Sequence, residues 1–285
     1  MALVENTLFG VDDKVKRVIQ NMRAIRHQNP CLKFSGGKDS QCIYHLAKEA
    51  GIDFRAQYDL TTVDPPELVD FIRTYYPDVV INRPKITMWR LIVKKRMPPT
   101  RLIRYCCDAF KEQGCPNHNL IITGVRWKES KRRSKRGMWE TCQAHKGSEF
   151  FNPIIDWDES DVWEYLNGNN IPHCSLYDEG WKRIGCIGCP MANTKIREKE
   201  FARYPKYKDA YIRSFDRMLK AIKDYKGANW QASTKWKTAE DVFHWFMYGA
   251  EKDYKRIPEG ELFKGDYYEQ YYRESEAWLY QQSGT

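Results

Sequence analysis

Apolar positions along the chain alternate between helix-like and strand-like spacing. Over residues 12–28, five apolar residues recur on one helical face: Val15, Val18, Ile19, Met22 and Ile25. The short run CLKF at 31–34 is typical of a buried strand, and a helix that ends at Gly51 follows it. The same reasoning predicts further strands or apolar segments at 54–62, 79–83, 120–124 and 150–156, and helices at 65–75, 88–95, 101–112 and 158–167.

This alternation predicts an α/β fold with a mainly parallel sheet and helices on both faces. After Pro190 the pattern becomes helical, at about 195–226 and 238–249. No low-complexity linker separates the two parts of the sequence. We therefore expect an α/β domain over 1–190 and a helical, aromatic-rich C-terminal lobe over 191–285 that packs on it.

Composition narrows the class of protein. The 285 residues carry a net charge of +9 and a mean hydropathy of −0.73, which excludes a membrane protein. The N-terminal residues include acids where a secretion signal has basic residues, so we expect a cytoplasmic protein with no membrane partner. In that compartment the nine cysteines are expected to be reduced, and to serve packing, catalysis or metal binding.

Positive charge is concentrated in three segments of the chain. Residues 82–104 contain eight basic residues and no acid, residues 126–136 seven basic residues and one acid, and residues 195–226 eleven basic and five acidic residues. Such blocks indicate a phosphate-bearing partner, either a nucleotide or a nucleic-acid backbone. Solvated helix faces are the alternative, and the mixed charges of 195–226 fit that alternative best.

The segment SGGKDS at 35–40 joins the strand at 31–34 to the next helix. Glycines at such a junction let the backbone approach a phosphate, and the free N–H groups and dipole of the helix start favour an anion. Ser35 and Ser40 add hydroxyl donors, and Lys38 adds a positive charge. The spacing is not that of a Walker A motif. The hexapeptide therefore predicts a phosphate-binding loop of another kind.

Three motifs resemble a known family. SGGKDS is similar to the signature of PP-loop ATP pyrophosphatases, and TGVRWKESKRR (123–133) and the segment 152–190 resemble sulfonucleotide reductases. Together they identify the chain as a member of the phosphoadenosine phosphosulfate reductase-like branch, over about 31–190. The resemblance implies the adenine-nucleotide α-hydrolase-like fold. It also implies that ATP, with Mg²⁺, is bound as substrate and cleaved between its α- and β-phosphates.

The resemblance implies roles for particular residues. Lys38, Ser35 and Ser40 are expected to hold the departing pyrophosphate, and Arg126 and Arg133 the nucleotide or an acceptor phosphate. The implied catalytic residues are Ser35, Lys38, Asp39, Ser40 and Arg126. The implied nucleotide-binding residues are Phe34, Ser35, Gly36, Gly37, Lys38, Asp39, Ser40, Thr62, Gly124, Arg126, Ser130 and Arg133.

Four cysteines form a second candidate site. Cys106 and Cys107 are adjacent, and Cys186 and Cys189 flank a glycine-containing turn, a spacing that lets two thiolates converge on one metal centre. Neighbouring side chains diverge, so the adjacent pair suits a cluster better than a single ion, with zinc as the alternative. The resemblance implies that these four residues hold a [4Fe–4S] cluster, as in adenylylsulfate reductases.

The resemblance also implies that Arg104 and Lys111 lie beside the cluster and balance its negative charge, while surface ion pairs are the alternative role for both. The remaining cysteines divide into two groups. Cys31 and Cys42 are expected to serve packing. A choice between packing and carrying sulfur stays open for Cys115, Cys142 and Cys174.

The chain departs from sulfonucleotide reductases in two places. Those enzymes carry a nucleophilic cysteine in a C-terminal ECGxH motif, whereas no cysteine follows Cys189 in this sequence. The segment TTVDPPE at 61–67 also stands in place of a Thr-Gly segment. A chain that keeps the loop and the four cysteines but lacks the C-terminal thiol most resembles, in function, the DNA phosphorothioation enzymes of the Dnd and Ssp type.

That resemblance implies an iron–sulfur ATP pyrophosphatase that adenylates a nucleic-acid backbone phosphate, with DNA favoured, for sulfur insertion. A cysteine desulfurase is the implied sulfur donor. Three alternatives stay open. They are a sulfonucleotide reductase that uses an internal thiol such as Cys142 or Cys174, a tRNA-thiolating enzyme, and a non-catalytic nucleotide-binding regulator.

Overall fold

The computed structural model describes residues 3–7, 10–112, 115, 118–141, 148–226 and 236–249. Cys142 and residues 250–285 of the expected lobe lie outside the described residues. Within those ranges, no helix is both long enough and apolar enough to cross a bilayer.

A twisted parallel arrangement dominates the strands. A short antiparallel hairpin of β1 (Val4–Thr7) and β2 (Gly10–Asp13) precedes the main sheet. The described strands of the main sheet are β3 (Cys31–Phe34), β4 (Arg55–Asp59), β5 (Val80–Asn82), β6 (Leu120–Ile122), β7 (Trp139–Thr141) and β8 (Glu149–Phe151). They lie in the order β5-β4-β3-β6-β8-β7, and β7 pairs antiparallel with β8 while the other pairs are parallel.

Helices surround this sheet and continue beyond it. The first six are α1 (Lys14–Ala24), α2 (Lys38–Ala50), α3 (Pro66–Tyr75), α4 (Met88–Lys95), α5 (Tyr105–Phe110) and α6 (Glu159–Gly168). The C-terminal helices are α7 (Thr194–Arg203), α8 (Pro205–Lys226) and α9 (Ala239–Tyr248). The apolar faces of α1, α2, α3 and α6 pack with the sheet in one hydrophobic core. The α/β class predicted from the sequence is therefore confirmed.

A second hydrophobic core joins the C-terminal helices to α4 and α5. Leu91 and Ile92 of α4 and Tyr105 of α5 are buried together with apolar residues of α7, α8 and α9. The Trp89 ring meets the Tyr211 ring edge-on, with centroids 5.1 Å apart. The helical C-terminal part thus packs against the two helices that follow β5.

Three local features differ from the sequence prediction. The helix predicted over 195–226 divides into α7 and α8 at Tyr204, because the residue before a proline disfavours helical geometry. The helix predicted over 101–112 shortens to α5, because the Thr100 hydroxyl accepts the Ile103 N–H at 3.0 Å and holds a turn there. The β1–β2 hairpin and the edge strand β7 had no clear signal in the sequence.

Strand order places the loop at 35–40 at a crevice of the sheet. The chain proceeds from β3 outward through β4 to β5, and then returns to β6 on the other side of β3. Ligands of open parallel sheets bind where the strand order reverses in this way, beyond the carboxyl ends of the strands. The segments that follow β3 and β6 both leave the sheet at that edge.

One cysteine expectation is wrong. Cys31, expected to be a reduced packing residue, forms a disulfide with Cys115, for which packing and a sulfur-carrier role had been left open. The two residues meet because Cys115 precedes β6, and Cys31 is in register with Ile121 of that strand. Cys42 is buried and unpaired in α2, as predicted for a packing residue.

Candidate active site

The turn between β3 and α2 depends on Gly36. This residue has φ of +70°, in the left-handed region where side chains are disfavoured. A Cβ atom added there would lie 2.7 Å from Leu68 Cδ1 and 2.8 Å from Ile72 Cδ1. Both neighbours belong to α3, so the loop can lie this close to α3 only without a side chain.

Two serines fix the shape of the same loop. The Ser35 N–H donates to Ser40 Oγ at 3.1 Å, and the Ser40 hydroxyl donates to the Gly37 carbonyl at 2.8 Å. The two hydroxyl oxygens are 3.1 Å apart. The first N–H groups of α2 point out of the helix start, where the dipole favours an anion. The loop, called the phosphate loop below after its predicted role, is thus held in one shape by its own hydrogen bonds.

Lys38, at the first position of α2, is buried beneath the segment 177–182. Its backbone N–H donates to the Tyr177 hydroxyl at 3.0 Å. Its ammonium donates to the Lys182 carbonyl at 3.2 Å and lies 3.3 Å from Glu159 Oε1. The ammonium is therefore held at the start of the helix by a backbone carbonyl and by the exposed carboxylate of Glu159.

Arg126 connects the segment after β6 to the loop. Its Nε donates to Asp39 Oδ1 at 2.6 Å, and the residue is only 4% exposed. Gly124 lies equally close, since a Cβ added there would stand 2.9 Å from the Asp39 carbonyl oxygen. The structure thus brings Gly124, Arg126 and the 35–40 loop together, as the motif order in the sequence suggested.

Other predicted site residues lie elsewhere. The Phe34 ring packs in the core against Tyr76, at a centroid distance of 4.7 Å, so only its main chain is left to contact a ligand. The Thr62 hydroxyl accepts the Met88 N–H at 2.9 Å.

Ser130 and Arg133 are engaged within their own segment. They bond to each other, and Arg133 forms an ion pair with Glu129. No hydrogen bond within the described residues connects these two side chains to the loop at 35–40.

The four candidate cluster cysteines come from α5 and from the turn at 185–190. The turn is joined to the segment after β4, because the Ile187 N–H donates to the Val63 carbonyl at 2.8 Å and Cys186 Sγ donates to Thr61 Oγ1 at 3.4 Å. Gly188 has φ of +72°, and a Cβ there would lie 2.6 Å from Phe201 Cζ. The turn is therefore closely packed between the edge of the sheet and α7.

The thiols of α5 and of the turn influence one another, since the charges of Cys186 and Cys189 contribute, after the Cys107 hydrogen bond and burial, to the raised pKa of Cys106. The hydrogen bond between the adjacent thiols raises the pKa of Cys106 and lowers the pKa of Cys107. The charges of Lys111 and Arg104 further lower the pKa of Cys107. The Cys186 thiolate, by its charge and by a hydrogen bond, raises the pKa of Lys111. Arg104 and Lys111 are thus neighbours of the thiols.

The donor set fits an iron–sulfur cluster by its chemistry. Four thiols with two adjacent cations suit a group whose net charge is negative and whose ligands are thiolates. Among the described residues, no three His, Cys, Asp or Glu side chains are arranged to hold a single metal ion. A [4Fe–4S] cluster binds each of its four thiolates to a different iron, so its ligands surround a larger volume.

Sequence reasoning did not single out three residues that shape the site. The Tyr177 hydroxyl accepts the Lys38 N–H at the start of α2. The Asp64 carboxylate accepts the Thr61 N–H at 2.6 Å, and its charge helps to raise the pKa of Lys111. Tyr177 lies inside the segment 152–190 that carries the resemblance, whereas Thr61 and Asp64 lie in the segment 61–67, where the chain departs from the family pattern.

Comparison with known proteins now decides the family. Residues 29–192 match the model of the phosphoadenosine phosphosulfate reductase domain. The chain belongs to this family. The match spans the sheet from β3, the phosphate loop and all four candidate cluster cysteines, and it ends just before α7.

Relatives of the phosphoadenosine phosphosulfate reductase family cover different parts of the chain. An uncharacterized protein of Methanocaldococcus jannaschii is 26% identical over 67% of this chain and 47% of its own length. The adenosine 5'-phosphosulfate reductase of Oceanobacillus iheyensis is 30% identical over 46% of this chain and 57% of its own length. The chain thus spans about half the length of these relatives.

Among solved structures, the phosphoadenylyl-sulfate reductase of Candida auris, in a phosphate complex, has a TM-score of 0.48 and 19% sequence identity. The superposition covers 61% of this chain and 87% of that chain.

Proposed function

We propose that the protein is an iron–sulfur ATP pyrophosphatase that activates a nucleic-acid backbone phosphate, in DNA by preference, for replacement of one oxygen by sulfur. The observation that carries this proposal is the contact between the two sites. The segment 61–64 follows β4, beside the phosphate loop, and bonds directly to the turn of Cys186 through Thr61 and Val63. This contact supports the proposal, because nucleotide activation and sulfur chemistry would then take place at adjacent sites.

The residues of the loop suit cleavage of ATP, with Mg²⁺, between the α- and β-phosphates. An oxygen of the acceptor phosphate attacks the α-phosphorus, and the bond from that phosphorus to the bridging oxygen breaks as pyrophosphate leaves. Ser35, Ser40 and the first N–H groups of α2 would stabilise the charge that develops on pyrophosphate. Lys38 and Arg126 add buried positive charge at the same place.

Cys106, Cys107, Cys186 and Cys189 would hold the cluster. When bound, a cluster of this type supplies electron transfer or a binding site for sulfur. Lys111 would balance its charge from the side of Cys186.

Sulfur insertion completes the proposed reaction. A sulfur nucleophile at the oxidation level of hydrosulfide attacks the adenylated phosphorus, a P–S bond forms, and AMP leaves with the oxygen. The protein needs a partner that delivers sulfur at this level, and a cysteine desulfurase with a thiol reductant fits that need. The acceptor oxygen is thereby lost to AMP, so the products are a phosphorothioate, AMP and pyrophosphate.

A sulfonucleotide reductase is the second candidate, because adenosine 5'-phosphosulfate reductases are among the relatives. That reaction needs an accessible thiolate. Cys174, one of the two thiols suggested for it, is fully buried, and burial raises its pKa. Cys142 lies outside the described residues. A tRNA acceptor would use the same activation step on a different nucleic acid.

Product analysis on anaerobically prepared full-length protein separates these functions. The protein is incubated with ATP and Mg²⁺, with and without an oligonucleotide, and separately with adenylylsulfate and a thiol reductant. The proposal predicts pyrophosphate and an adenylated oligonucleotide from ATP when the oligonucleotide is present, and no sulfite from adenylylsulfate. Sulfite formation without pyrophosphate release would identify a reductase. Nucleotide binding without turnover of either compound would identify a regulator.

A further inference from the structure

A groove rich in positive charge lies between α4 and α5. It encloses about 580 Å³ and is lined by cations from two parts of the chain, Arg83 and Lys85 after β5 and Lys94 and Lys95 in the last turn of α4. Tyr105 and other residues of α5, among them the carboxylate Asp108, form the opposite wall. The same helix carries two of the candidate cluster cysteines, so the groove and the cysteine site share one helix.

These cations differ from those of the segment 126–136. There, Lys128 bonds to Asp158 and Arg133 pairs with Glu129, so carboxylates already neutralise much of the charge. In the groove, no described carboxylate forms an ion pair with Lys85, Lys94 or Lys95. All four groove cations are exposed to solvent. Lys85, Lys94 and Lys95 therefore present positive charge along the groove.

The helix dipole explains the cations at the C-terminal end of α4 but not those before its N-terminal end. Lysines in the last turn of α4 are favoured by the negative C-terminal end of the dipole. Arg83 and Lys85 precede the other end, where Thr87 caps the helix and the dipole disfavours positive charge. Stabilisation of the helix therefore does not account for the cations that precede α4.

The distance between the two pairs points to a chain of phosphates. The eight residues of α4 extend over about 12 Å at 1.5 Å per residue, and cations lie near both ends. One phosphate cannot contact both pairs at once, whereas successive phosphates of a strand can. A groove of about 580 Å³ can hold a segment of one strand, whereas a duplex would lie across its surface.

We propose that this groove, which shares α5 with the cysteine site, binds the backbone of a single nucleic-acid strand. The inference rests on the proposed function for its acceptor, and it names the surface that holds this acceptor. Backbone contacts of this kind are independent of base sequence and weaken as salt displaces them. Lys85, Lys94 and Lys95 would each contact the phosphate chain.

Binding of a fluorescent single-stranded DNA oligonucleotide, measured by anisotropy over a salt series, tests the groove. The double variant Lys94→Gln, Lys95→Gln is compared with the wild-type chain and with Lys94→Arg, Lys95→Arg. Loss of two contacts is expected to flatten the slope of log affinity against log salt by about 1.4, at about 0.7 for each contact. The arginine variant keeps both charges and is expected to bind like the wild type.

A matched control removes the same charge elsewhere. Lys16 and Lys48 are exposed and lie on α1 and α2, and Lys16→Gln, Lys48→Gln is expected to leave the slope unchanged. An unchanged slope in the groove variant, or an equal change in the control, would overturn the inference. Tighter binding of the duplex than of the single strand would also overturn it, as would binding to anionic phospholipid vesicles through the same two lysines.

The same preparations separate this inference from the proposed function. Release of pyrophosphate from ATP is measured in parallel for each variant. If the wild type releases none but the groove variant still loses oligonucleotide binding, the proposed function fails and the groove assignment stands. If pyrophosphate is released and oligonucleotide binding is the same in the wild type and the groove variant, the groove assignment fails alone.

Discussion

At the scale of single residues, the phosphate loop keeps its shape because Gly36 has no side chain. Gly36 has a positive φ and no room for a Cβ, while Ser35 and Ser40 bond across the turn. A turn between β3 and α2 could be predicted from the hexapeptide, because Ser35, Gly36 and Ser40 shape it through contacts with nearby residues. Tyr177 was not predicted as a loop contact, because it is brought to Lys38 from 139 residues away by the packing of the whole domain.

Gly36→Ala tests the close contact with α3. Any L-residue at this φ costs about 1 kcal/mol, and displacement of Leu68 and Ile72 is expected to add about 1–3 kcal/mol. Gly51→Ala is the matched control, since Gly51 has φ of +67° and nothing lies within 4 Å of its added Cβ. Urea unfolding of both variants measures the difference. Equal destabilisation would show that the contact with α3 is not tight.

At the scale of elements, the site depends on segments far apart in the sequence. The segment after β4 contacts the turn at 185–190, and α5 brings two further cysteines to the same region. Most helices and strands could be predicted, because local signals such as the proline at the start of α3 mark their ends. The short length of α5 could not, because the Thr100 turn competes with the helix through one hydroxyl.

Iron content tests the cysteine assignment. Wild-type protein purified without oxygen is expected to hold about four irons per chain and to absorb visible light, as [4Fe–4S] proteins do. Cys106→Ser removes one proposed ligand and is expected to lose most of the iron. Cys42→Ala, which removes a buried thiol of α2, is expected to retain it. Stoichiometric zinc in place of iron, or full iron in Cys106→Ser, would contradict the assignment.

At the scale of the whole molecule, the C-terminal helices and the cysteine site form one packed unit. The second hydrophobic core joins α7, α8 and α9 to α4 and α5, so the described C-terminal helices buttress the helix that carries Cys106 and Cys107. Sequence reasoning predicted a helical lobe on an α/β core. It had no means to show that this lobe packs on the charged segment after β5, because amphipathic periodicity gives the buried face of a helix without naming its partner.

Isotope exchange is the most direct test of acceptor adenylation, because it needs no sulfur donor. The full-length protein is incubated with ATP, Mg²⁺ and labelled pyrophosphate, with and without a single-stranded oligonucleotide, and label in ATP is measured. Reversible attack of the acceptor phosphate on ATP predicts exchange that requires the oligonucleotide and is lost in Lys38→Met. No exchange with any nucleic acid, together with sulfite formation from adenylylsulfate, would contradict the account.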